Sequence, residues 1–86
     1  MTYAIEYSHA ARHQIRRLPP EVRIRLVHLI AKLADDPRPP GTKKLSGPAG
    51  LWRVRAGVYR VVYEVRDTVL LVVVVRVAHR AEAYRR

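Results

Sequence analysis

The chain has no cysteine among its 86 residues, which excludes disulfides, thiolate-bound zinc and a thiol nucleophile. Acidic residues are scarce: seven Asp and Glu stand against 17 Lys and Arg, a net charge of +10. The four His, at 9, 13, 28 and 79, show no HExxH or other ligand spacing, so neither a metal nor another cofactor is expected. The apolar run 69–75 falls well short of the about 20 residues that cross a bilayer. The opening MTYAIEYSHAARH has no charged leader followed by an apolar stretch, so no signal peptide is expected and a cytoplasmic location is. What remains is a short chain, 49% apolar, rich in Val and Leu, expected to close one core as a single domain over 1–86. A body this basic predicts polyanionic partners, and nucleic acid or a nucleic-acid machine fits first.

Periodicity organises the chain. Tyr3–Tyr7 alternates as a short strand does, and Ser8 is placed to cap a helix carrying Ala11, Ile15 and Leu18. Pro19–Pro20 ends that helix and starts another, because proline suits a first turn and not an interior. Val22, Leu26, Leu29, Ile30 and Leu33 make the second helix's apolar stripe. DDPRPPGTKKLSGPAG, residues 35–50, reads as an internal loop. From Leu51 the period becomes two: LWRVRA, YRVVYEV and VLLVVVVRV read as three strands. Tight turns are expected at Gly57–Val58 and Asp67–Thr68, and the Val-rich run is expected as the central strand. The expectation is α+β: βααβββ, a two-helix hairpin packed on a mainly antiparallel four-stranded sheet.

Parity then places the charges. A two-residue turn at Gly57–Val58 pairs Ala56 with Tyr59 and sets Arg55 opposite Arg60. Trp52, Val54, Tyr59, Val61 and Tyr63 form the apolar face, and Arg53, Arg55 and Arg60 gather on the other. Like charges directly across strands destabilise a sheet, which favours an anion site over three solvated arginines with Glu64 as a local partner. The tail adds His79, Arg80 and Tyr84: an imidazole that exchanges protons near neutral pH, a guanidinium for phosphate and a ring for stacking. A chain end after the last strand could curl onto the open face.

These residues resemble a known family. LSGPAGLWRVRAGVYRVVYEV followed by VVVVRVAHRAEAYRR is similar to the C-terminal half of RelE/ParE-superfamily toxins, the RelE branch above all. The matching elements are Lys44-Leu45-Ser46-Gly47, Trp52–Arg55, Gly57–Tyr63 and Val72–Tyr84. The resemblance implies a metal-independent endoribonuclease of a type II toxin–antitoxin system that cuts messenger RNA in the ribosomal A site. Attack of a ribose 2′-OH on the adjacent phosphate would leave a 2′,3′-cyclic phosphate and a 5′-OH. It also implies a cognate antitoxin partner, besides ribosome and mRNA.

Carried over by position, Arg53 and Arg55 stand where the branch often has lysines, and Arg60 matches the YR arginine on the scissile phosphate. Arg80 and Tyr84 match the tail arginine and tyrosine, and His79 stands where related toxins place a histidine. Lys43, Lys44, Arg85 and Arg86 are expected to contact RNA. Arginine effectively never loses its proton, so Arg53 and Arg55 suit charge stabilisation and His79 is the expected proton carrier. Two other functions stay open: a ParE-like inhibitor of DNA gyrase, and a catalytically silent fold that only docks its antitoxin.

Overall fold

The computed structural model describes residues 2–45, 47 and 50–79. Strand β1, Ala4–Tyr7, turns Ile5 and Tyr7 towards the core and leaves Ala4 and Glu6 exposed. Ser8 follows in extended backbone, and its Oγ accepts a hydrogen bond from the Ala11 N–H at 3.0 Å. This satisfies one of the N–H groups a helix start leaves open. Helix α1, His9–Arg16, buries Ala11 and Ile15, while Leu18 packs against the core just beyond it. Pro20 opens α2, Pro20–Lys32, as its pre-set φ favours. Leu26, Ile30 and Leu33 are almost fully buried, and Ile24 and Val27 face outward.

Five strands form one sheet in the order β1-β5-β4-β3-β2, with β1 parallel to β5 and the other pairs antiparallel. The α+β class therefore holds, with five strands where four were expected. The additional one, β2, is only Lys43–Lys44, paired with Arg53 and Trp52 of β3, Leu51–Ala56. Two residues inside a Pro/Gly-rich stretch are too few to show a period. Ahead of β2 the chain is tied down at two residues: the Tyr63 hydroxyl donates to the Pro37 carbonyl at 2.7 Å, and Arg38 pairs with Asp67 at 2.7 Å.

The β3–β4 hairpin has the expected register, Ala56 with Tyr59 and Arg55 with Arg60. Gly57 takes φ +63 there, a conformation that glycine adopts without strain. Strand β4, Tyr59–Arg66, lies in the middle of the sheet. The Val-rich strand β5, Leu71–His79, is interior but second from the edge, not central. The link between them is also longer than the expected two-residue turn: a 3-10 turn, Asp67–Val69, followed by Leu70 in the left-handed region.

The core lies between the helices and one sheet face, joining Ala11, Ile15, Leu26, Ile30 and Leu33 to Val54, Val61, Tyr63, Val72, Val74 and Val77. Those β5 positions change parity between Val74 and Val77. The cause is a β-bulge: Val62 pairs with Arg76 and Tyr63 with Val74, leaving Val75 as the extra residue. Helix α1 covers the backbone disturbed there. Ser8 Oγ donates to the Val75 carbonyl at 2.6 Å, and the Val77 N–H donates to Gln14 Oε1 at 2.7 Å.

Candidate functional site

Because Val54, Val61 and Tyr63 point into the core, their neighbours in β3 and β4 point to the open face of the sheet. Arg55 and Arg60 are direct cross-strand partners, and Arg53 sits beside them opposite Val62. Lys43 of β2 is the partner of Arg53, which brings it to the same face. Together with Gly41, these four basic residues line an open cleft of about 330 Å³. Arg60 is its floor, 2% exposed, while Arg55 and Lys43 reach solvent. Four guanidinium or ammonium groups from three strands suit an anion with several oxygens, because arginine can bind such oxygens bidentately.

The bulge decides two further placements. Regular alternation from Val72 and Val74 would send residue 76 to the helix side and residue 79 to the open side. With Val75 extra, Arg76 instead pairs with Val62 and joins the basic face. His79 pairs with Tyr59 on the helix side, its ring edge-on to the tyrosine at 5.5 Å between centroids. The structure thus does not bring His79 to the arginines, and it adds Arg76, which sequence reasoning missed. The only early sign was Arg76 itself, a charge interrupting an apolar run.

Lys44, expected to act with Lys43, is also turned the other way. It follows Trp52 to the helix side, with its Nζ 6.0 Å from the indole centroid. Arg80, Tyr84, Arg85 and Arg86 lie outside the described residues. Among the described residues, no group of three or more His, Asp or Glu is placed to hold a metal ion. No helix among them is long and apolar enough to cross a membrane.

A second charged cluster lies at the far end of the sheet. Arg38 binds Asp67 through both carboxylate oxygens, at 3.2 and 2.7 Å, and the Tyr3 hydroxyl donates to Asp67 at 2.6 Å. The Arg38 hydrogen bond, helped by that of Tyr3, holds the Asp67 carboxyl down at about 2. Arg38 also stacks over the Trp52 ring, 5.0 Å from its centroid. Beneath it, burial pushes the Tyr63 phenol up.

Comparison with known proteins settles the family. The family model described as the ParE toxin of the type II toxin–antitoxin system, parDE, matches residues 5–84. Toxin RelG of Mycobacterium tuberculosis is 33% identical over 87 residues, covering 100% of both chains. The chain is a type II toxin of the RelE/ParE family. The toxin's fold is also that of solved relatives. One is the toxin–antitoxin complex RelBE2 of Mycobacterium tuberculosis, with TM-score 0.82, 30% identity, and 93% of this chain and 100% of that one covered. Another is the archaeal RelE–RelB complex of Pyrococcus horikoshii, with TM-score 0.82, 26% identity, and 93% and 97% covered.

Proposed function

We propose that this toxin is a metal-independent endoribonuclease that cuts messenger RNA on the ribosome. The observation that carries the reading is Arg55 set directly across from Arg60, with Arg53 and Lys43 closing the same cleft. In the reaction the 2′-oxygen of a ribose loses its proton to water and bonds to the adjacent phosphorus. The P–O5′ bond breaks, and the departing 5′-oxygen takes up a proton. Negative charge grows on the phosphate oxygens as the 2′-oxygen attacks. Guanidinium groups already fixed around that position stabilise the growing charge without reorganising. The need for a 2′-OH confines the substrate to RNA.

Arg53, Arg55 and Arg60 thus supply charge and position. None of them exchanges a proton at working pH, because arginine keeps its proton and stays charged. His79, on the other side of the sheet, packs against Tyr59. The cognate partner is an antitoxin offering acidic and apolar residues to a +10 body, in keeping with the toxin–antitoxin complexes of the solved relatives.

A second reading has one observation in its favour. The matching family model carries the ParE description, and a ParE-like inhibitor would trap gyrase without cleaving RNA. Purified toxin in a cell-free translation reaction separates the two. The ribonuclease reading expects discrete messenger cuts ending in 5′-OH. Intact messenger together with trapped gyrase–DNA complexes would replace it with the ParE-like reading.

A further inference from the structure

The open face is charged in rows. Pairing across the sheet sets Lys43, Arg53, Val62 and Arg76 side by side, one from each of β2, β3, β4 and β5. The neighbouring row towards the hairpin holds Arg55, Arg60 and Ala78. Past the bulge, on the other side, the next row is Leu51, Glu64, Val73 and Glu6. Glu64 there pairs with Arg66 at 3.0 Å. Two basic rows are therefore followed along the strands by one carrying two carboxylates.

We propose that Arg76 is a substrate-binding residue, and that Lys43, Arg53 and Arg76 form a rail on which a single-stranded RNA backbone crosses the sheet from β2 to β5. The proposal rests on the ribonuclease reading of the same face and adds the path of the substrate. Strands lie about 4.8 Å apart, so the row spans roughly 14 Å. Stacked nucleotides advance about 3.4 Å each, so the row can serve several phosphates at once. A backbone running along the strands instead would leave the basic rows for one that carries Glu6, and Glu64 already matched to Arg66. A backbone running across them stays on the two basic rows.

Val62 forms the buried apolar floor between Arg53 and Arg76, so both cations rise from a dry base and project their charge outward. Exposed Arg76 reaches this row only because of the bulge at Val75, which α1 fastens through Ser8 and Gln14. Bulges commonly re-aim a side chain beside a site in this way. The rail therefore depends on contacts made on the opposite face of the sheet.

Salt dependence of binding tests the proposal, with a single-stranded RNA oligonucleotide methylated at its 2′-hydroxyls as the probe. Each phosphate contact on a single strand adds about 0.7 to the slope of log affinity against log salt concentration. Arg76→Ala and Lys43→Ala should each flatten the slope by that amount, the double variant by about twice as much, and Arg76→Lys should restore it. The control is Arg66→Ala, which removes the same charge from the same face outside the rail and should leave the slope unchanged. Circular dichroism confirms that each variant is folded.

Equal slopes for Arg76→Ala and Arg66→Ala, or no binding by the wild type at low salt, overturn the rail. RNA cutting by the wild type is scored separately. A toxin that cuts no RNA but shows the Arg76-specific slope keeps the rail and removes the ribonuclease reading.

Discussion

Two ends of one sheet use charge in opposite ways. At the end near the 3-10 turn, Arg38 is matched to Asp67 and Arg66 to Glu64, the two ion pairs among the described residues. Around the β3–β4 hairpin, Lys43, Arg53, Arg55, Arg60 and Arg76 are brought together on neighbouring positions of four strands. The Arg38–Asp67 pair holds the 33–42 loop against the end of the sheet. The hairpin end sets like charges beside each other, which by itself weakens a sheet. Matched charge fastens this molecule, and accumulated charge of one sign is what it offers to an anion.

Turning one end into the other gives the largest expected effect. Arg55→Glu places a carboxylate opposite Arg60, converting the site into a copy of the paired end. Cleavage should fall by about 10²–10³, the usual loss when a preorganised positive donor is removed. Stability should rise by roughly 0.2–1 kcal/mol, because an opposite-charge cross-strand pair replaces a like-charge one. Urea unfolding beside a cleavage assay reads both. A variant that loses activity and stability together would show that the arginines serve the fold.

The reverse change acts on the paired end. The folded Asp67 carboxyl is lowered to about 2 from an ordinary 3.8, so its contribution to stability is present above roughly pH 4. That contribution fades as the pH falls towards 2. Asp67→Asn should therefore unfold more easily than wild type at pH 7, and the two melting curves should converge as the pH approaches 2. Cleavage at neutral pH should be unchanged. A melting-point gap that persists undiminished at pH 2 would sever the link to that carboxylate.

How much of this was legible in the sequence follows the same division. The hairpin register was readable because Gly57 fixes the turn and a period of two does the rest, so the Arg55–Arg60 pair could be placed in advance. The helix stripes and the proline junction were legible for the same local reasons. Three features were not. Strand β2 is two residues long, below the length at which any period shows. The turn after β4 takes four residues, closed by Leu70 in a left-handed conformation that leucine rarely adopts.

The bulge at Val75 was the third, and it had the widest effect. In a run of valines every register looks alike, so nothing in the sequence marks where one residue is skipped. That one residue sends Arg76 to the site and His79 to Tyr59, reversing what alternation from Val72 implies. The position of the bulge is set from outside the strand, by Ser8 and Gln14 of the first helical segment.

If the proposed cleavage rests on the fixed charge of the arginine face, with His79 outside it, substitutions at the two places should act differently. Single-turnover cutting on programmed ribosomes from pH 5 to 9 tests this most directly, for wild type, Arg60→Ala and His79→Ala. Arg60→Ala should be slower by about 10²–10³ at every pH with the wild-type profile kept, because a guanidinium does not titrate in that range. His79→Ala should cut at nearly the wild-type rate with the same profile. Wild-type cutting by Arg60→Ala, or a slow His79→Ala enzyme that has lost one limb of its pH profile, would overturn cleavage by fixed charge.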